Sequence, residues 1–273
     1  SNNLDQALAV KTGTMSDNRI NTAIVGASGY SGEELVRLLL GHPHVNLSVL
    51  TSRQYAGQPL ASVFPRFGGH ADASDLVFSE PSIELLADKA KAVFLALPHG
   101  VAAEFAVPLV QRGVTVIDLS ADFRINDADT YNEFYGTEHP APGWLPKAVY
   151  GLPEIKRADI ANATLIASPG CYPTSILLPL IPLLEAGLID PGQIIADSLS
   201  GVSGAGRNAS LPFLYVECNE SLRPYGAPKH RHLSEIEQEL GLANGSPEAF
   251  AEAKRLASGM QPCLLYTSPS PRD

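Results

Sequence analysis

Cys171 stands in "SPGCYPT", between a Pro-Gly turn and the apolar run "SILLPLIPLL". The run predicts a buried helix starting near Pro173, since proline is tolerated in a first helical turn. A thiol at a helix N-terminus has its thiolate stabilised, which lowers its pKa below the ordinary value of about 8.5 and makes it a nucleophile at neutral pH. The alternative for a free cysteine is a buried, inert packing residue. Cys218, in "YVECNE", lacks the turn-then-helix setting and is read as inert. Pro179 and Pro182 should kink or end the helix early.

A partner for the thiol lies in "KHRHLSEIEQEL". Ser234 and Glu237 have capping-box spacing, and Leu233, Ile236 and Leu240 mark one apolar face, so a helix is predicted from Ser234 with His230 and His232 in the loop before it. His232, next to the fixed helix start, is the candidate acid/base. No third ligand with recognisable spacing accompanies the two histidines, so no metal is expected.

Gly26, Gly29 and Gly32 are spaced G-x-x-G-x-x-G after the strand-like "INTAIVG" and before the helix-like "EELVRLLLGHP", where Leu35, Leu38 and Leu39 keep helical spacing. Such a turn brings backbone close to a pyrophosphate and aims a helix N-terminus at it, with Ser28, Tyr30 and Ser31 in the same loop. The alternative for such a turn is packing alone. The second strand ends in "TSR", where an enzyme using NAD usually carries an acidic residue. Ser52 and Arg53 suit a 2′-phosphate instead, so NADP is favoured; a solvated loop arginine is the alternative.

Arg124 of "SADFR" and Arg207 of "GAGR" are loop arginines at predicted strand ends, suited to phosphate or carboxylate, or equally to surface ion pairs. "SGVSGAGR" would place Ser200 and Gly201 toward the cofactor and Ser203 toward the substrate.

These residues require a scaffold. Strand-like runs at 20–26, 45–52, 91–97, 114–120 and 163–168 alternate with helical candidates at 81–88 and 100–112, which predicts a parallel sheet covered by helices. After about residue 166 the texture changes, giving an expected division into 15–165, the dinucleotide-binding domain, and 166–262, a catalytic domain. Residues 1–14 precede Met15 and are expected to be non-native or a disordered extension. Residues 263–273, "CLLYTSPSPRD", resemble a translated sequencing adapter and are expected to pack against nothing, leaving the second domain incomplete.

The 273 residues carry a formal charge of −10, and the acidic balance argues against nucleic acid or an anionic membrane as partner. Three cysteines do not make a disulfide framework, and no apolar run reaches membrane-span length, so a reduced, cytoplasmic protein is expected.

Taken in order, "GASGYSGEELVRLL", "ALPHG", "DLSADFR", "VYGLPE", "SPGCYPT", "SGVSGAGR" and "HRHLSEIE" resemble the N-acetyl-γ-glutamyl-phosphate reductase family of arginine biosynthesis. The resemblance implies a Rossmann-type α/β domain plus an α+β catalytic domain, NADPH, an acyl phosphate substrate and a homo-oligomer, dimer or tetramer. It puts the nucleophile on Cys171 and the acid/base on His232, with His230 at the substrate. Ser175 and Pro179 depart from the small residues usual in that family. Aspartate-semialdehyde dehydrogenase and aminoadipyl phosphate reductase are the nearest rivals; a non-catalytic NADP sensor would need neither Cys171 nor His232.

Overall fold

The computed structural model describes residues 18–192, 194–226, 229–245 and 265–268. Its elements are β1 (Ile20–Val25), α1 (Tyr30–Leu40), β2 (Val45–Thr51), α2 (Leu60–Val63), β3 (Phe78–Ser79), α3 (Ile83–Lys89), β4 (Ala92–Leu95), α4 (Ala102–Gln111), β5 (Thr115–Asp118), α5 (Ala128–Tyr135), β6 (Val149–Tyr150), α6 (Pro153–Ala161) and β7 (Leu165–Ala167). There follow α7 (Cys171–Glu185), β8 (Ser198–Gly201), α8 (Tyr215–Cys218), β9 (Arg223–Tyr225), α9 (His232–Ala243) and β10 (Leu265–Ser268).

β1 to β7 form one all-parallel sheet in the order β3-β2-β1-β4-β5-β7-β6. Runs such as "AIV" and "VFL" suit strands covered on both faces, because helices packed on either side leave no wet face to require alternation. One face carries Leu86, Phe105 and Leu109; the other carries Val36, Leu39, Leu50 and Phe78. The chain winds outward from β1 to β3 and then returns to β4 on the other side of β1. This reversal opens a crevice beyond the carboxyl ends of β1 and β4, where dinucleotides bind in such sheets.

On α1 the buried residues are Gly32, Val36, Leu39 and Leu40, while Leu38, expected on the apolar face, is 52% exposed. At 100° per residue Leu38 lies well round the helix from Val36 and Leu40, and the sheet reaches only one side.

The second region packs α7 on α9 through Leu177, Ile181 and Leu184 against Ile236 and Leu240. α7 begins at Cys171 itself and runs through both Pro179 and Pro182 to Glu185, so the expected early break does not occur. Its buried face holds the helical path across the missing N–H groups, a case of packing overriding propensity.

α9 also corrects the sequence reading. It starts at His232, two residues before Ser234, whose hydroxyl donates to Arg231 O (2.9 Å) instead of capping. The Leu233 N–H donates to His230 O and the His232 N–H to His230 Nδ1 (3.1 Å), so His230 supplies the first acceptors of the helix.

β8, β10 and β9 form a small sheet in that order, with β10 parallel to β8 and antiparallel to β9. The tail therefore does pair over Leu265–Ser268, against expectation. Ladders bond through backbone groups that almost any side-chain sequence supplies, which is why composition did not reveal it. The expected extension at 1–14 and Cys263 lie outside the described residues.

Candidate active site

The glycine turn is built by exclusion of side chains. A Cβ on Gly26, whose φ is +81°, would stand 2.3 Å from Ala96 O on the β4 exit; one on Gly32 would stand 2.3 Å from Gly26 O. The turn is thus pressed against the neighbouring strand and against itself. Gly29 is the N-cap of α1, with no side chain capping it. A bare helix N-terminus at the mouth of the crevice, with no Cβ to hold a ligand off, fits the pyrophosphate of a dinucleotide. Ser28 and Ser52 hydroxyls lie 2.8 Å apart, joining the turn to the end of β2. Arg53 follows, exposed to solvent.

Some 140 residues further on, Cys171 is the first residue of α7, exposed, with Gly170 as its N-cap. Gly170 is where the cluster converges. A Cβ there would meet His232 Nε2 at 2.7 Å and Arg124 Nη1 at 3.0 Å, so both side chains lie directly against the peptide that carries the thiol. The Gly170 N–H donates to Glu235 Oε1 (2.9 Å), which also accepts from the Tyr150 hydroxyl (2.7 Å).

Arg124 is not an open loop arginine. It is buried, donating through Nε to Ser168 O and through Nη2 to Leu119 O, both at 2.7 Å, and Nη1 lies 3.5 Å from Glu235 Oε2. Glu235 is 1% exposed, and burial raises its pKa while Arg124 pulls it back.

His232 is held neutral. Burial first, then His230, Arg124 and Arg231, push its pKa down to about 3, and its Nδ1 is buried without a hydrogen-bond partner. Charging the ring would bury a cation beside Arg124 and Arg231. Burial and Arg231 lower His230 to about 4.

Beside His232 opens a cavity of about 170 Å³ lined by His99, Ser120, Arg124, Tyr135 and Arg231. Arg231 donates through Nη1 to His99 Nε2 (2.7 Å), and burial followed by Arg231 lowers the His99 pKa, so this ring accepts. Asp122 ties the two loops that form the cavity wall: it accepts from the N–H groups of Gly100 (2.6 Å) and Ala103 (3.2 Å).

The predicted residues thus fall into separate groups. Cys171, His230, His232 and Arg124 are brought together; Gly26, Ser28, Gly29, Tyr30, Ser31 and Gly32 lie in the turn and first helical residues after β1, with Ser52 and Arg53 just after β2. Arg207 joins neither the thiol nor the histidines. It pairs with Glu33 of α1, which also binds Arg66 (3.0 Å), and its guanidinium lies 4.7 Å from the Tyr30 ring centre. A half-buried carboxylate in the first turn of α1 draws it there. Ser200 lies on β8, its hydroxyl donating to Gly201 O (3.2 Å), and Ser203 follows in a 3-10 turn. Sequence reasoning missed Tyr150, Glu235, His99 and Arg231, although each lies inside a quoted motif. Glu235, three residues after His232 on one helix, was the traceable signal. Among the described residues no group of three or more His, Cys, Asp or Glu is arranged for a metal, and no helix is long and apolar enough to cross a membrane.

The semialdehyde dehydrogenase NAD binding domain family matches residues 21–163, over half of the chain. The chain belongs to the semialdehyde dehydrogenase family. Its dimerisation domain matches residues 171–255. The chain is 60% identical over 228 residues to the N-acetyl-gamma-glutamyl-phosphate reductase of Akkermansia muciniphila, covering 83% of this chain, and 52% identical over 229 residues to that of Citrifermentans bemidjiense, covering 84%. It spans 65% of the length of each. Among solved structures, aspartate semialdehyde dehydrogenase II of Vibrio cholerae complexed with ASA is similar at a TM-score of 0.58 and 15% identity, over 92% of this chain and 69% of that one. That likeness establishes the fold alone.

Proposed function

We propose that this chain carries out the NADPH-dependent reduction of N-acetyl-γ-glutamyl phosphate to N-acetylglutamate semialdehyde, with release of phosphate, as a cytoplasmic homo-oligomer. The observation that carries the reading is the contact of His232 Nε2 with Gly170, because it sets a neutral base beside an exposed thiol at the start of α7. The names of the relatives support the choice of substrate. The working units are residues 15–165, holding cofactor, and 166–262, holding substrate.

Neutral His232 accepts the Cys171 proton at Nε2. The thiolate attacks the acyl carbon, the carbon–oxygen bond to phosphate breaks, and a thioester remains. Gly26, Gly29 and Gly32 would hold NADPH, with Arg53 at its 2′-phosphate, and the bound cofactor would supply the hydride. Protonated His232 then gives its proton to the oxygen of the reduced carbon and takes it back as the carbon–sulfur bond breaks, freeing aldehyde and thiolate. Arg231 and Arg124, on the cavity beside His232, receive the anionic leaving group in place of Arg207, with His230 beside the substrate. Ser200 and Gly201 would serve the cofactor and Ser203 the substrate.

The test is loss of NADPH absorbance with N-acetyl-γ-glutamyl phosphate, β-aspartyl phosphate or no acyl phosphate. Oxidation only with the first is expected. Faster turnover of the second would replace the substrate assignment, and NADPH binding without turnover of either would favour a sensor.

A further inference from the structure

Glu235 is a deeply buried carboxylate bonded to the peptide before the thiol, and the proton transfers above make no use of it. It comes from the same helix as His232, one turn later, and reaches three other elements. Its Oε1 accepts from the Gly170 N–H at 2.9 Å and from the Tyr150 hydroxyl at 2.7 Å, and its Oε2 faces Arg124 Nη1 at 3.5 Å. Gly170 is the N-cap on which Cys171 hangs, and Arg124 is braced on Ser168 O and Leu119 O. The charged and titratable groups facing the carboxyl include Arg124 from the loop after β5, Tyr135 from α5, Tyr150 from β6 and Glu239 from its own helix. Burial and the adjacent Glu235 keep the Tyr150 phenol far above its ordinary range, so it stays a donor.

We infer that Glu235 is a positioning residue: by binding the Gly170 N–H it clamps the peptide that carries Cys171 to the helix that carries His232, and so fixes thiol and imidazole relative to one another. The physical argument is one of rigidity. Gly170 has no side chain to lock it, and its φ of −66° is open to any residue, so nothing intrinsic to the Pro-Gly turn holds this N–H. A buried N–H left without an acceptor is costly, so where Glu235 goes the Gly170 peptide follows. Tyr150 orients the carboxyl from the sheet side, and Arg124 balances its charge. The result is one rigid unit made of β6, the α7 N-terminus and the first two turns of α9. This rests on the reaction proposed above, and its test includes a measurement that needs no substrate.

The test compares Glu235→Gln, Glu235→Ala and Tyr150→Phe in the whole protein. The amide oxygen of Gln can still accept from Gly170 and Tyr150, whereas Ala can accept from neither. Loss of alignment by about 1 Å costs on the order of 100-fold in rate, so kcat should fall about 100-fold in the Ala variant with KM for NADPH changed less than about threefold. The Gln variant should recover at least about tenfold of that loss, and Tyr150→Phe should lose less than the Ala variant. In parallel, alkylation of Cys171 by iodoacetamide, followed by mass spectrometry without any substrate, should slow at least about fivefold in the Ala variant and stay within about twofold in the Gln variant. The inference is overturned if Gln is as impaired as Ala, if kcat of the Ala variant stays within about threefold of the parent, or if KM for NADPH rises as much as kcat falls. Should the parent fail to turn over the acyl phosphate while the alkylation ordering holds, the functional reading fails and the clamp stands. Should alkylation be indifferent to residue 235, the clamp fails whatever the substrate.

Discussion

The glycine turn at 26–32 and the cluster around Gly170 both depend on a glycine packed closer than a side chain allows, but for opposite reasons. At Gly26 and Gly32 the atoms that exclude a Cβ are backbone, Ala96 O and Gly26 O, each at 2.3 Å. At Gly170 they are side-chain atoms, His232 Nε2 at 2.7 Å and Arg124 Nη1 at 3.0 Å, brought from residues 62 and 46 positions away. The first site is a local turn closed by backbone, its own at Gly32 and that of the neighbouring strand at Gly26. The second is a meeting of side chains that the fold must deliver, and it holds buried charge, Arg124 against Glu235, where the first holds none.

The largest expected effect separates the two sites completely. Cys171→Ala should lower turnover at least about 10³-fold, since the covalent step is lost, while NADPH binding by fluorescence stays unchanged. Retention of more than a few per cent of activity would remove Cys171 from the nucleophile role.

Next, a methyl group at the two kinds of glycine should act on different observables. Gly170→Ala pushes on His232 and should cost about 100-fold in kcat, the scale of acid–base catalysis, with NADPH affinity kept. Gly32→Ala pushes on backbone, and should cost about 1–3 kcal/mol of stability and most of the cofactor affinity. Melting curves and cofactor titrations check both. If Gly170→Ala weakened NADPH as strongly as it slowed turnover, the two sites would not be separable.

At the crevice alone, Arg53→Ala should weaken NADPH by about tenfold or more and leave NADH almost unaffected, because only the former carries the 2′-phosphate. Equal losses in titrations with each would deny Arg53 that contact.

The cluster should also respond to acid where the turn does not. His232 has a folded pKa of about 3, below its unfolded value of about 6.5, so its neutral burial favours folding above pH 6.5 and that contribution is lost as pH falls toward 3. Melting temperature measured from pH 7.5 to 4 should therefore fall less in His232→Asn than in the parent. For the same reason, activity should show no acid limb near pH 6.5 from His232; one traced to His232 would contradict the lowered pKa and not its acid/base role. The smallest effect belongs to Cys218→Ala, which should leave kcat and NADPH affinity within about twofold, since the Cys218 thiol faces backbone, Phe213 O and Tyr215 O at 3.9 Å.

What could be read from the chain and what could not follows the same division. Strands β1, β2, β4, β5 and β7 and the turn between β1 and α1 were legible, because apolar runs and glycine spacing are local signals, and a Pro-Gly turn is likewise what nominated Cys171. Local signals also misled. A capping box at Ser234 and Glu237 was credible in isolation, but His230 offered its own acceptors and α9 began earlier; Pro179 and Pro182 should break a free helix, but α7 is held by its buried face. Arg124 and Arg207 read alike as loop arginines, yet one is buried beside Glu235 and the other sits on Glu33 of α1, a choice made by which carboxylate each could reach. Sequence by itself determined the strands, the glycine spacing of the cofactor turn and the residue types proposed for the chemistry, since each is signalled by neighbours within a few positions. Tertiary structure decided which charge faces which, because a buried ion pair or a clamped N–H is worth its desolvation only where distant elements bring both partners together.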